Sequence, residues 1–406
     1  MKNLLVFLVF IMASADAFSQ KVVFVIIDGV EAEIFERVAT PNMDAIAKSG
    51  GYTRAYVGGE RGGYSETPTI SAPGYNNLIT GTWGNKHNVW GNSIKAPNYN
   101  YWSAFRFVEE LAPEKETAIF STWLDNRTKL VGEGLQAAGN VMIDYHFDGF
   151  ELDEKAFPHD KERLFIHNID EHVVNEASRY IKEKGPDFSW VYLEYTDDMG
   201  HAHGNSEKTD EAIRMADEQM GSIWEAVQYR QKEKDEDWMI FITTDHGRSA
   251  ESGGKDHGGQ SDRERTTWMV MGGGQPNAYF TKEQNAIVDI LPTALRFMGI
   301  EPTKERMYEL DGVPLTGPVS VSNPGAILAD NKIKVTWKAI DQAEEVKISL
   351  ATTNNFETGG TDTYTQVGSV KAGKEAFEID LKKYPSDFYK VVIEGKYNSV
   401  GRWVKR

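Results

Sequence analysis

The chain contains no cysteine in its 406 residues. That excludes a disulfide framework and a lipidated cysteine, so stability has to come from packing. It has no basic excess either. The formal net charge is −17, which argues against a nucleic-acid duplex or an anionic membrane surface as a partner. The apolar run near the start, Leu4 to Met12, is too short for a membrane span. Internal repeats and low-complexity tracts are missing as well.

What is present points to a globular protein. Apolar residues make up 40 % of the chain, with Gly and Pro spaced along it, and the length suits one large domain plus a small one. Met1 to Gln20 carries one Lys, the apolar run and then small residues, the pattern of a secretory signal peptide. With cleavage after Ser19, residues 1–19 are the expected signal, and a secreted or periplasmic location follows.

From residue 20 to about 317, strand and helix signals alternate. Lys21 to Ile27, Ala118 to Ser121, Val141 to Ile143, Trp190 to Tyr195 and Trp238 to Thr244 read as strands. Helices are expected over 40–50, with Thr40 as cap and Gly50 as stop, after 71, and over 171–183, 208–230 and 286–299. The alternation predicts an α/β fold, a mostly parallel sheet flanked by helices. Ligands in such sheets bind beyond the carboxyl ends of the strands. From 318 to 406 the pattern changes to period two, as in Lys332 to Lys338 (KIKVTWK). A small antiparallel β-sandwich resembling a fibronectin type III module is expected there, with Trp337 in its core and its partner unknown.

The chemistry concentrates where strands end. Asp245-His246-Gly247 follows one strand, Asp28-Gly29 another, and Asp197 with His201 a third; His257 sits in the glycine-rich turn His257-Gly258-Gly259. A carboxylate and an imidazole side by side suit a hard-to-borderline cation such as zinc. Three carboxylates and three imidazoles suffice for two divalent ions about 3.5–4 Å apart. A nucleophile is also needed. Ser71 precedes a helix whose N-terminal amides favour an anion.

The order Asp28-Gly29, Ser71, Asp197-x-x-x-His201, Asp245-His246-Gly247, His257-Gly258-Gly259 resembles the alkaline phosphatase superfamily, and within it the type I phosphodiesterase/nucleotide pyrophosphatase branch. Thr40-Pro41-Asn42-Met43-Asp44, Pro68-x-x-Ser71-x-Pro73, His87 to Asn92 and Asp289 to Thr293 match the branch too. The resemblance covers residues 20 to about 302. It implies one metal site of Asp197, His201 and His257 and another of Asp28, Ser71, Asp245 and His246. It also implies that Asn92 and the backbone amide near Ser71 hold a phosphoryl oxygen, and that Ser71 forms a phosphoserine.

Some departures narrow the reading. The branch usually has Thr where Ser71 stands and an aromatic residue where Ala72 stands. A formylglycine sulfatase needs Arg at the position of Tyr75. Cofactor-independent phosphoglycerate mutases carry a large insertion for which the gap from Ser71 to Asp197 is too short. Arg127 and Lys129 are possible phosphate-binding cations, or solvated loop charges. His203 reads as a turn histidine, Asp198 and Asp256 as neighbours of ligands, and His87, His146, His159, His167 and His172 as structural or surface groups. The expectation is an exported phosphoric ester hydrolase acting on small diesters or pyrophosphates. Alkaline phosphomonoesterase activity is the alternative, and a non-catalytic binding protein the remote one.

Overall fold

The computed structural model describes residues 19–406; the expected export signal, apart from Ser19, lies outside them. Eight strands build one sheet: β1 (Gln20–Ile27), β2 (Gly51–Tyr56), β3 (Thr117–Ser121), β4 (Tyr145–Phe147), β5 (Phe188–Leu193), β6 (Asp237–Thr243), β7 (Thr266–Gly272) and β8 (Asn285–Ala286). Their order is β4-β3-β5-β1-β6-β7-β2-β8. The five strands from β4 to β6 run parallel. Strand β7 runs antiparallel to both β6 and β2.

Every residue of β5, and all but the first of β1 and β6, is buried, as expected for strands covered on both faces. Six helices matter for the site: α1 (Pro41–Ser49), α2 (Ser71–Thr80), α3 (Leu164–Glu183), α4 (Tyr195–His203), α5 (Glu207–Lys234) and α6 (Ile290–Phe297). Alternate residues of β1 choose the layers. Val23, Val25 and Ile27 pack with α1, α3 and α5, whereas Val22, Phe24 and Ile26 pack with α2 and α6. The α5 stripe Ile213, Ala216, Met220, Ile223 and Val227 is core, as its spacing predicts. Each large apolar member contributes about 1.5–3 kcal/mol by burial.

Several expected elements move, each for a visible reason. The strand expected at Val141–Ile143 is β4, further on at Tyr145–Phe147. The Asp144 carboxylate accepts from the Thr117 amide at 2.7 Å, closing the start of β3, so pairing begins only at Tyr145. Thr40 makes no side-chain cap. Asp217 on α5 caps α1 instead, accepting from the amides of Asn42 (3.1 Å) and Met43 (2.8 Å). Helix α6 begins at Ile290 rather than 286 because the Asp289 carboxylate takes the Ala286 amide at 2.7 Å, turning the chain first.

Seven antiparallel strands follow: β9 (Val321–Ala329), β10 (Lys332–Ala339), β11 (Glu345–Ala351), β12 (Thr365–Lys371), β13 (Ala376–Asp380), β14 (Phe388–Glu394) and β15 (Ser399–Lys405). They form a three-stranded sheet, β13-β10-β9, and a four-stranded one, β12-β11-β14-β15. Val335, Trp337, Ile348 and Val391 are buried in the core, and the Trp337 indole N–H donates to Ala372 O at 2.8 Å.

Candidate active site

The carboxyl ends of β5, β1 and β6 are adjacent because β1 pairs with β5 on one side and β6 on the other, and this gathers Asp28, Asp197, Asp245 and His246. The Asp28 amide follows on from β1 by donating to Leu193 O at 3.1 Å. Asp197 and His201 lie on α4, one turn apart, rather than directly on a strand end. Strand β5 stops at Leu193 because Asp170 on α3 captures the next two amides, Glu194 at 3.1 Å and Tyr195 at 2.9 Å. Asp170 thus anchors the start of the helix that carries two site residues. Burial pushes its carboxyl up to about 7, against the pull of those hydrogen bonds.

Asp28, Asp245 and His246 are each at most 1 % exposed. One donor atom of each lies within 4.8 Å of the others. The His246 Nε2 is 3.4 Å from Asp28 Oδ1 and 3.3 Å from Asp245 Oδ2. All three of these atoms lack a hydrogen-bond partner among the described residues, although buried polar atoms are normally paired. Their other atoms are committed. Asp28 Oδ2 accepts from the hydroxyls of both Tyr75 and Tyr192, the latter at 2.7 Å. Asp245 Oδ1 accepts from the Gly29 amide at 3.1 Å, and His246 Nδ1 lies 3.0 Å from Gly247 O.

A second set adjoins the first. Donor atoms of Asp197, His246 and His257 also lie within 4.8 Å of one another. His201 Nε2 is 3.2 Å from Asp197 Oδ2 and 3.1 Å from His257 Nε2. The His246 and His257 rings stack with centroids 3.7 Å apart. His257 Nδ1 pairs with Thr69 O at 2.9 Å, two residues before Ser71, which ties this ligand to the nucleophile loop. Donor sets of this kind, with orphaned buried atoms turned toward one another, fit divalent cations.

The electrostatics agree. Burial, and then the Asp197 charge, raise the Asp28 carboxyl; burial and Asp28 raise that of Asp245. Burial lowers His246 and His257. Asp197 goes the other way. Burial opposes its charge, but the His201 hydrogen bond and the Arg248 guanidinium outweigh it and hold the carboxyl below its usual range.

Ser71 is the first residue of α2 and is buried. It lines a cleft of about 230 Å³ together with Asp28, Tyr75, Asn92, Trp123, Tyr192, Glu194 and Asp197. The Ala72 amide donates to Asn92 Oδ1 at 3.0 Å. That amide is engaged by Asn92. An N–H can bond only the carbonyl side of Asn92, so the Nδ2 group is left as the donor. His87 supports the same loop: its Nε2 pairs with Asn77 Oδ1 at 2.8 Å and its Nδ1 accepts from the Val89 amide at 3.1 Å.

The possible cations go elsewhere. Arg127 pairs with Glu133 and Asp148, and Lys129 with Asp125. Asp198 pairs with Arg163, Asp256 is exposed, and His159, His167 and His172 pack against aromatic rings. The residue sequence reasoning missed is Arg248. It is 2 % exposed and donates to Asp197 Oδ1, to Asp197 O at 2.7 Å, to Gly29 O at 2.9 Å and to Lys255 O at 3.2 Å. One side chain thereby binds the loops after β1 and β6 to α4. Gly200 makes room for it, since a Cβ there would stand 2.2 Å from the guanidinium carbon. The signal was available: a cation directly after Asp245-His246-Gly247 needs a buried anion.

Among known proteins, the chain is 31 % identical over 113 residues to the 2,3-bisphosphoglycerate-independent phosphoglycerate mutase of Legionella pneumophila. That stretch is 27 % of this chain and 20 % of the mutase, so the chain spans about a fifth of the relative's length. Two solved structures share the fold. Human ectonucleotide pyrophosphatase/phosphodiesterase 5 has a TM-score of 0.50 at 14 % identity, covering 70 % of this chain and 96 % of its own. A Vibrio parahaemolyticus protein of the alkaline phosphatase superfamily has a TM-score of 0.50 at 14 % identity, covering 87 % and 83 %. The family model for type I phosphodiesterase/nucleotide pyrophosphatase matches residues 22–294, a span from β1 into α6 that holds every residue of the cleft. On that match, the chain belongs to the type I phosphodiesterase/nucleotide pyrophosphatase family.

Proposed function

We propose that the protein is an exported hydrolase of small phosphodiesters that works through Ser71. The observation that carries this reading is the orphaned triad Asp28 Oδ1, Asp245 Oδ2 and His246 Nε2, in a site whose cleft also holds the Ser71 hydroxyl and Asn92. Asp28, Ser71, Asp245 and His246 would hold one divalent ion, and Asp197, His201 and His257 the other. Zinc is the metal we propose, from the mixed oxygen and imidazole donors. When bound, the two ions supply Lewis acidity and charge stabilisation at the phosphoryl oxygens.

The chain's own groups do the rest. The Ser71 oxygen stands at the N-terminus of α2, where the helix favours developing negative charge. It gives up its proton and attacks phosphorus in line; one ester oxygen takes up a proton and leaves as an alcohol, and the phosphoryl group, still carrying its second alcohol, remains esterified to Ser71. Water then cleaves that ester and returns the proton to Ser71. Asn92 Nδ2 donates to a non-bridging oxygen, a contact that gains strength as charge builds there. Arg248 and Asp170 keep Asp197 in place without touching substrate.

The choice of diester over monoester rests on charge. Among the described residues no Lys or Arg lines the cleft, so none of these side chains meets the extra charge of a monoester dianion. The 3 + 4 strand order of the two antiparallel sheets supports a fibronectin type III-like module over 318–406, next to a catalytic domain of 20–317. Export rests on the composition of residues 1–19; the intact mass of the exported protein should begin at Gln20. No helix among the described residues is long and apolar enough to cross a membrane.

The central test is Ser71→Ala. Hydrolysis of a 4-nitrophenyl diester should fall by roughly 10⁴-fold with folding retained, and unchanged turnover would end the reading. Paired with it, a monoester and a diester sharing one leaving group should favour the diester.

A further inference from the structure

Of the residues that line the cleft, most have their polar atoms assigned. The Tyr75 and Tyr192 hydroxyls are spent on Asp28 and on one another, at 2.8 Å for the mutual contact. Asp28, Asp197, Ser71 and Asn92 belong to the reacting centre. Glu194 and Trp123 remain. The Glu194 backbone is fixed at the end of β5 by Asp170, yet its carboxylate has no hydrogen bond or ion pair with any described residue. The charges that act on it most strongly are those of Asp170, Asp28, Asp197 and Asp198. Trp123 is half-buried and clamped through its backbone to Ser121 Oγ at 3.1 and 2.7 Å. Its ring meets Tyr75 at 6.1 Å and 70°, and its indole N–H has no partner among the described residues.

We propose that Glu194 and Trp123 read the alcohol portion of the substrate, and that this alcohol is neutral and polyhydroxylated, a sugar or a polyol. The inference rests on the diesterase reading above and narrows it. An aromatic ring offers a flat apolar surface to the C–H side of such an alcohol, and its N–H offers a donor. A carboxyl accepts hydrogen bonds from hydroxyl groups whether or not it is ionised. A site built to hydrogen-bond a substrate hydroxyl rejects the analogue without it, because its buried polar groups are then left unpaired. A second phosphate fits poorly. It would find no Lys or Arg and would face the Glu194 carboxyl, which disfavours pyrophosphates and nucleoside polyphosphates. A quaternary ammonium calls for a cage of ring faces. Here Tyr75 meets Trp123 crosswise and both phenols are tied to Asp28, leaving the single indole.

The test uses the full chain loaded with zinc and 4-nitrophenyl diesters whose second alcohol is glycerol, methanol or choline, with ATP as the polyphosphate. The glycerol diester should exceed the methyl diester in kcat/KM by at least tenfold. Glu194→Ala should reduce that ratio to below threefold, and Glu194→Gln, which can still hydrogen-bond, should keep part of it. Trp123→Ala should raise KM for the glycerol diester more than it lowers kcat. A higher rate with the choline diester or ATP would overturn the proposal, as would a glycerol preference that survives Glu194→Ala. If Glu194→Ala does not fold, the wild-type ratio and Glu194→Gln still decide. Diester turnover without glycerol preference defeats this inference alone; turnover of monoesters only defeats the diesterase reading with it.

Discussion

At the junction with the antiparallel sheets, Glu309 and Asp362 are buried to 3 % and 1 % side-chain exposure, and Lys390 stands between them at 2.6 and 2.8 Å. In the cleft, Asp28 and Asp245 are comparably buried, at 2 % and 0 % side-chain exposure, yet Asp28 Oδ1 and Asp245 Oδ2 are set against each other and His246 Nε2, with no Lys or Arg paired to them among the described residues. The same chemical groups thus meet opposite treatment. The junction carries its own cation between the two carboxylates, although Glu309 Oε2 has no hydrogen-bond partner among the described residues. The cleft carries an imidazole that burial drives toward neutrality, so the triad's own side chains do not supply the balancing cation. Buried carboxylates left unpaired cost stability, and a protein retains such an arrangement where function needs it.

The largest effect that sharpens this contrast belongs to the junction. Lys390→Ala should destabilise the protein by about 3–5 kcal/mol, because it strands two buried carboxylates; urea midpoints would show it, and added zinc should not repair it. In the cleft, zinc at a hundredfold excess over its Kd should add about 2.7 kcal/mol to stability, and a chelator should remove both that gain and the hydrolysis.

Asp245→Asn comes next and has the opposite sign to any junction variant. In metal-free protein it should stabilise by about 1–2 kcal/mol, since it removes one of two facing carboxylates, while abolishing the response to zinc. A loss of metal-free stability in that variant would break the comparison.

The smallest effect is one of pH. Burial holds the His87 imidazole down to about 3, against 6.5 when unfolded. Its contribution is therefore complete above 6.5 and is lost as pH falls toward 3, because the unfolded chain takes up the proton first. Between pH 7 and 5.5 this should cost about 1 kcal/mol, and His87→Asn should flatten that part of the profile.

Asp28, Asp245 and His246 were legible because they follow strand ends in short polar motifs, and hydrophobic runs mark strand ends well. Asp28, Asp245 and His246 needed only the knowledge that β1 and β6 are neighbours in the sheet. What stayed hidden was partnership across long separations. Asp170 holding α4, Asp217 capping α1 and Arg248 reaching Asp197 are single charged residues within or beside patterns that explain them equally well as surface. The missed position of β4 has a similar origin. Val141 and Ile143 are buried and look like a strand, but the pairing edge is set by where the Asp144 side chain meets Thr117.

Gly74, one turn into α2, has a consequence for how this catalyst tolerates change. A methyl group in place of its hydrogen would lie 2.8 Å from both Cβ and O of Asp245. The helix that presents the serine can rest against the loop that presents the carboxylate only because an atom is absent there. The spacing of the reacting groups is thus set by a contact too close to admit a methyl, and even alanine would act as a wedge, pushing hydroxyl and carboxylate apart while leaving every reactive side chain intact.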